Sequence, residues 1–226
     1  MKPYPVMMNL DGKAVIVVGG GRVALRKIKS LLAGGARVIV ISPELETELE
    51  ELAAGDRVVW ITEPFREELL DGYPDALLIF GTTDRREVNT AIHDAAVKRR
   101  IPCNIADVPD LCTFIVPAVI TRGDLMIAVS TGGSSPALAR RIREDLQKQY
   151  GPEYAAMTQL LGDLRKRILQ MGNTSDENKK LFLDLVDSEI LTALRRKDRD
   201  QALAILQAIL PQEVDAENAI EETRMM

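Results

Sequence analysis

Apolar residues recur along the first half of the chain in two alternating rhythms. Val15 to Val18, Arg37 to Ile41, Val58 to Ile61, Ala76 to Phe80 and Ile101 to Asp107 are short runs rich in branched aliphatics. Such runs read as strands buried on both faces of a parallel sheet. Between them the apolar positions fall at helical spacing: Val23, Ala24, Ile28, Leu31 and Leu32 after the first run, then Leu45, Leu49 and Leu52 after the second. Phe65 to Leu70 reads as a short helical turn and Val88 to Ala96 as a further helix. Strand and helix alternate up to residue 112, which predicts an α/β domain built on a doubly wound parallel sheet.

The rhythm then changes. Thr113 to Ile120 and Leu125 to Ser130 read as strands joined through Thr121-Arg122-Gly123-Asp124, a hairpin-like pair whose open edges need covering, for example by a second subunit. A helix from Pro136 carries Leu138, Ile142 and Leu146, with Ser135 as N-cap and Pro136 in the first turn. Residues 113–149 thus form a small unit of their own. From Gly151 the aliphatics keep helical spacing, broken only at Met171 to Ser175, which predicts a helical domain over 150–211. Gln212 to Met226 carries five acids against one arginine and reads as a frayed, disordered tail.

Candidate chemistry sits where the first strands end. Gly19, Gly21 and Ala24 fill the small positions of the pattern Gly-x-Gly-x-x-(Gly/Ala). The first permits a tight turn, the second lets a pyrophosphate approach the backbone, and the third lets helix and strand pack closely. The helix start then offers N–H groups and a positive dipole end to phosphates. The second strand ends at Ser42-Pro43, where many NAD enzymes place an acid for the adenosine ribose. Ser42 and the backbone there can serve instead. NAD is favoured because no arginine stands at Ser42 for a 2′-phosphate, with Arg22 in the loop as the other option. Glu44 to Asp56 holds six carboxylates and no base, most simply a solvated helix face.

Gly81-Thr82-Thr83-Asp84 is a loop at a strand's carboxyl end, where open α/β sheets bind ligands, and Thr83 or Asp84 equally suits an N-cap. Asp107 ends the fifth strand at the same edge and reads either as a turn residue or as an acid–base catalyst. In Thr131-Gly132-Gly133-Ser134-Ser135-Pro136, glycine-freed N–H groups and hydroxyls precede Arg140, Arg141 and Arg143. That is a well-capped surface helix or an anion site.

Charge and composition narrow the classes. A net charge of −5 over 226 residues argues against general nucleic-acid binding. No signal-peptide core and no apolar stretch approaching about 18 residues is present, so a cytoplasmic protein without a membrane span is expected. Cys103 and Cys112 fit no zinc or redox spacing and read as buried, inert thiols, and His93, the only histidine, as structural. No metal site is expected, because a single acid is poor equipment for a resident ion.

Several of these segments also match a known family as one ordered set. They are Val17 to Lys27, Ser42-Pro43, Thr82-Thr83-Asp84 with Val88-Asn89, Asn104 to Pro109, Phe114 to Ala118, and Ala128 to Arg140 with its Ser-Thr-Gly-Gly-Ser-Ser-Pro core. Together they closely resemble the precorrin-2 dehydrogenase family, which includes bifunctional sirohydrochlorin ferrochelatases and the N-terminal part of bacterial siroheme synthases. The likeness covers residues 5 to about 148 and, more loosely, the helical remainder.

The resemblance implies a Rossmann-type sheet, a small α+β dimerisation unit and a C-terminal helical domain. It implies NAD-dependent oxidation of precorrin-2 to sirohydrochlorin in siroheme synthesis by a homodimer, with the site between the Rossmann domain and the partner. The family's main catalytic candidate corresponds to Asp107. The cofactor would meet Gly19, Gly20, Gly21, Arg22, Val23, Ser42, Pro43, Thr82 and Thr83. The tetrapyrrole would meet Asn104, Ser130, Thr131, Gly132 and Arg140. In bifunctional members the same acid assists metal insertion, and ferrous ion is then a substrate. The chain departs from the family at Ala106, where a larger aliphatic is usual, and at Gly81, where alanine is usual. Two rivals remain: a dehydrogenase for a different small acid, and a non-enzymatic NAD-binding regulatory domain.

Overall fold

A computed structural model describes residues 2–223. The chain divides into two compact units, one ending at Val116 and the other beginning at Pro117.

The first unit is a five-stranded parallel sheet in the order β3-β2-β1-β4-β5. Its strands are β1 (Ala14–Val18), β2 (Arg37–Ile41), β3 (Val59–Ile61), β4 (Leu78–Gly81) and β5 (Cys103–Ile105). The helices are α1 (Arg22–Ala33), α2 (Thr47–Ala54) and α3 (Arg86–Arg99). Alternation within each strand sends side chains to two cores. Val15, Val17, Val38, Val40 and Phe80 pack with Ala24, Ile28 and Leu31 of α1 and Leu49 of α2. Ile16, Val18, Ile39, Ile41, Ile79 and Ile105 pack with Ile92, Ala95 and Ala96 of α3. Both faces are covered, so all five residues of β1 are buried. The order reverses at β1, flanked by β2 on one side and β4 on the other. A crevice opens at the carboxyl ends of such a pair.

Thr113 to Pro117 differs from expectation, because the strand expected from Thr113 starts only at Ala118. The Thr113 N–H donates to Cys103 O at 2.8 Å, and Asn104 Nδ2 donates to Phe114 O at 3.0 Å. These residues lie along β5, and Pro117 has no N–H to give a ladder.

The second unit opens with β6 (Ala118–Arg122) and β7 (Leu125–Val129), an antiparallel pair in which Arg122 faces Leu125. Gly123, at φ +56°, and Asp124 make the two-residue turn. Among the described residues six helices follow: α4 (Pro136–Gln149), α5 (Glu153–Leu169), α6 (Ser175–Asp187), α7 (Ile190–Arg196), α8 (Arg199–Ile209) and α9 (Ala216–Glu222). Ser135 caps α4 by accepting from Leu138 N, and Thr174 and Glu177 form a reciprocal capping box on α6.

The acidic tail expected to be frayed from residue 212 is instead helical at α9. Asp215 caps it, and Ala216, Ala219 and Ile220 join the core of α5, α7 and α8. Arg167 of α5 donates to Glu222 Oε2 at 2.9 Å. The acids hid a short apolar face from a reading by charge. Arg224 to Met226 lie outside the described residues.

Candidate active site

The site of the first unit is built on the turn from β1 into α1. Gly19 has φ +113°, and a Cβ there would lie 2.6 Å from Thr82 Oγ1. Thr82 holds that position because its N–H and its Oγ1 both donate to Val18 O at 2.8 Å. A Cβ on Gly20 would lie 2.0 Å from Glu44 O, so the turn seats against the loop after β2. Around Gly21 nothing lies within 4 Å of such an atom. The first two glycines are thus required by the protein's own packing, and the third leaves open space. Gly21 caps α1 without a side chain, and the first turn carries no acid. The N–H groups of Arg22 and Val23 there suit an anion, aided by the helix dipole. A bare glycine cradle against an uncapped helix start fits a dinucleotide's pyrophosphate.

The loop after β2 is more committed than its sequence suggests. Ser42 is buried, its Oγ donating to Glu44 O at 2.7 Å and its carbonyl accepting from Trp60 Nε1 at 2.9 Å. The hydroxyl proton therefore shapes the loop, while Pro43 beside it is exposed. Glu46 N donates to Gly20 O at 2.8 Å, clasping this loop to the glycine turn. Glu46 was indistinguishable by sequence from the other acids of Glu44 to Asp56. Its place one residue before α2 is the only signal that marks it.

At the end of β4, Thr83 Oγ1 donates to Asn89 Oδ1 at 2.8 Å, and Asn89 Nδ2 donates to Thr83 O at 2.9 Å. Buried Asn89 thereby fixes the Thr82–Thr83 loop. Neither Thr83 nor Asp84 is the N-cap of α3. That place falls to Arg85, which makes no side-chain cap bond, although Arg85 N donates to Thr83 Oγ1 at 3.3 Å. A Cβ on Gly81 would meet Ile105 Cδ1 at 2.5 Å, so the glycine makes room for the isoleucine on β5.

Asp107 stands exposed just past β5 with φ +60°, a left-handed conformation that Asp and Asn tolerate better than other side chains. Ala106 N donates to Gly81 O at 2.8 Å and sets this corner beside the end of β4. Behind it Asn104 is buried with both ends of its amide engaged, to Phe114 O and to Lys27 Nζ at 3.0 Å. Lys27 also lies over the Phe80 ring at 4.9 Å from its centroid. Burial, and then the charge of Arg26, lower its ammonium below the usual lysine value, while Cys112 and Asp107 pull it back up. Lys27 thus braces Asn104 from α1, a contact its sequence position did not disclose. Burial pushes the Cys103 thiol up to about 12, consistent with an inert thiol, whereas Cys112, expected to be buried too, is only half-buried because it sits in the turn after β5, where its Sγ donates to Ile105 O at 3.2 Å. A ring nitrogen of His93 lies 3.0 Å from Leu111 O, a structural contact.

In the second unit Thr131 Oγ1 donates to Ser135 O and accepts from Ser135 N, both at 3.0 Å. Ser130 Oγ accepts from Gly132 N at 3.1 Å, and Gly132 and Gly133 have φ of +63° and +90°. Arg140 pairs with Glu144 at 2.9 Å and Arg141 with Asp145 at 3.1 Å, while both remain exposed. The arginines therefore answer acids one turn on, and Arg140 holds the Glu144 carboxyl below the usual range. Among the described residues no three His, Cys, Asp or Glu side chains gather in a way that could hold a metal ion. Nor is any helix among them long and apolar enough to cross a membrane.

Known proteins match this arrangement in both units. A family described as "Putative NAD(P)-binding" matches residues 6–118, and one described as "Sirohaem biosynthesis protein central" matches residues 122–149. The solved structure of "SirC, precorrin-2 dehydrogenase" superposes with a TM-score of 0.75 at 30% identity, covering 92% of this chain and 98% of that one. The chain belongs to the precorrin-2 dehydrogenase family. Siroheme synthase 3 of Aeromonas hydrophila subsp. hydrophila is 37% identical over 214 residues, which cover 94% of this chain and 45% of that protein. Siroheme synthase of Nitrosomonas europaea is 37% identical over 203 residues, covering 89% and 42%. The chain spans about half the length of the siroheme synthases it matches.

Proposed function

We propose that this protein is an NAD-dependent dehydrogenase that oxidises precorrin-2 to sirohydrochlorin in siroheme synthesis, acting in the cytoplasm as a homodimer. The observation that carries the reading is the likeness to a precorrin-2 dehydrogenase over 98% of that protein's length. It is supported by a glycine turn that fits a dinucleotide at Gly21.

Gly19 to Val23 would hold the pyrophosphate, Ser42-Pro43 would flank the adenosine end, and Thr82-Thr83 would line the crevice beside β1. The bound cofactor supplies a hydride acceptor. Losing two hydrogens as hydride and proton also requires a base. Asp107, exposed at the carboxyl edge of the sheet, is the carboxylate assigned to take the proton. Asn104 acts from behind, as part of the Lys27 brace rather than as a direct ligand. Ser130, Thr131, Gly132 and Arg140 would meet the carboxylate-rich macrocycle, Arg140 exchanging Glu144 for a substrate carboxylate. Homodimerisation is supported by the two-stranded β6–β7 pair, whose Val119 and Met126 are exposed.

The test is anaerobic: enzyme, NAD and fresh precorrin-2, followed by absorbance of NADH and sirohydrochlorin. NADH formed in step with sirohydrochlorin is expected, and NAD binding without turnover would overturn the reading. Ferrous or cobaltous ion added to the product then tests metal insertion. Sedimentation should report twice 25.0 kDa, and an active monomer would remove the shared site.

A further inference from the structure

The Glu46 carboxylate is the least satisfied polar group beside the glycine turn. Oε2 is buried and has no hydrogen-bond partner among the described residues. Oε1 faces only Arg22 Nε, at 3.9 Å, beyond hydrogen-bond length. Glu46 occupies the N-cap of α2, yet its side chain makes no cap hydrogen bond. The carboxylate is therefore not used by the helix it precedes. A buried acceptor without a donor costs free energy, so such a group is normally found with a partner.

Its position says which partner fits. Glu46 N is bonded to Gly20 O, one residue before the open position at Gly21. Ser42, at the usual place for a ribose acid, has its hydroxyl proton committed to Glu44 O. The side chain of Glu46 is one-third exposed (33%), so its carboxyl can turn toward the crevice. A vicinal diol brings two donors to a carboxylate's two acceptor oxygens. A phosphate ester in place of one hydroxyl would bring a like charge.

We infer that Glu46 receives the adenosine ribose diol and makes the site select NAD over NADP. The inference rests on the dinucleotide reading of the glycine turn. Arg22, the alternative partner for a 2′-phosphate, is exposed, with its Nε 3.9 Å from the same carboxylate.

Isothermal titration calorimetry of the full chain with NAD and with NADP tests this without turnover. The wild type should bind NAD roughly tenfold or more tighter than NADP, as expected for charge-assisted hydrogen bonds set against a like-charge clash. Glu46→Gln keeps the shape and removes the charge. It should weaken NAD, strengthen NADP and shrink the preference by roughly tenfold. Adding Arg22→Ala to Glu46→Gln should cancel the NADP gain. Glu46→Ala should lose NAD affinity further, with thermal melting as the folding control. A preference unchanged in Glu46→Gln, or a wild type that prefers NADP, would overturn the inference and leave dinucleotide binding intact. A wild type that binds neither nucleotide would overturn both.

Discussion

Lys27 Nζ donates to Asn104 Oδ1 at 3.0 Å, so a charged side chain from α1 braces β5 three residues before the corner that carries Asp107. Burial depresses the lysine's folded-state pKa below its unfolded value. Between those two values the unfolded chain binds more protons, so the lysine's contribution to stability rises with pH there. It is complete above the ordinary value of 10.5 and falls away as pH drops through the folded value. The unfolding free energy of wild type relative to Lys27→Met should therefore increase from neutral pH toward 10.5 in urea titrations. A gap that stays flat would show that the amine is not desolvated.

Asp107 sits at φ +60°, so its replacements must be chosen for backbone as well as charge. Asp107→Asn keeps a side chain that accepts the left-handed region and removes the base. It should lower turnover by about a hundredfold or more, a typical loss for general-base removal, with NAD affinity unchanged by calorimetry. Asp107→Ala should add a melting-temperature drop that the asparagine variant lacks. Wild-type turnover in Asp107→Asn would take this acid out of the chemistry.

Gly20 and Gly21 separate packing from binding. A methyl on Gly20 would collide with Glu44 O, which is backbone, so Gly20→Ala should cost about 2 kcal/mol or more of stability. Gly21 has a negative φ and open space, so Gly21→Ala should fold within about 0.5 kcal/mol of wild type. It should nonetheless bind NAD more weakly, because the methyl fills the cradle. Chemical denaturation and calorimetry on the same two variants check both halves.

Ile220 of α9 is 4% exposed, within the core of the second unit. Ile220→Ala should destabilise that unit by about 2–4 kcal/mol, as deletion of a buried aliphatic does. Tyr150 and Tyr154, whose rings lie 5.0 Å apart in the same unit, offer a fluorescence probe of its unfolding. An unmoved transition would show α9 to be peripheral.

The sheet was legible because each strand is a short aliphatic run with a turn signal behind it. β2 spans Arg37–Ile41 as its pattern predicts. The glycine turn was legible for the same reason, since each glycine's spacing carries its own demand. What stayed hidden depends on neighbours distant in sequence. Glu46 looked like any acid of a solvated helix until Gly20 and Arg22 were placed beside it. The amide of Asn104, which the resemblance places against the substrate, bonds Phe114 O and Lys27 Nζ, partners that no spacing announces. The end of the chain misled because charge outweighed three apolar residues, Ala216, Ala219 and Ile220, that share one helix face.

The clasp between Gly20 O and Glu46 N fixes how many residues may separate two loops. Inserting or deleting one residue between Ser42 and Glu46 would slip the clasp and drag the glycine turn with it. Engineering of cofactor choice here must therefore proceed by exchanging side chains on an unaltered backbone, and loop grafts from relatives will succeed only when their length is the same.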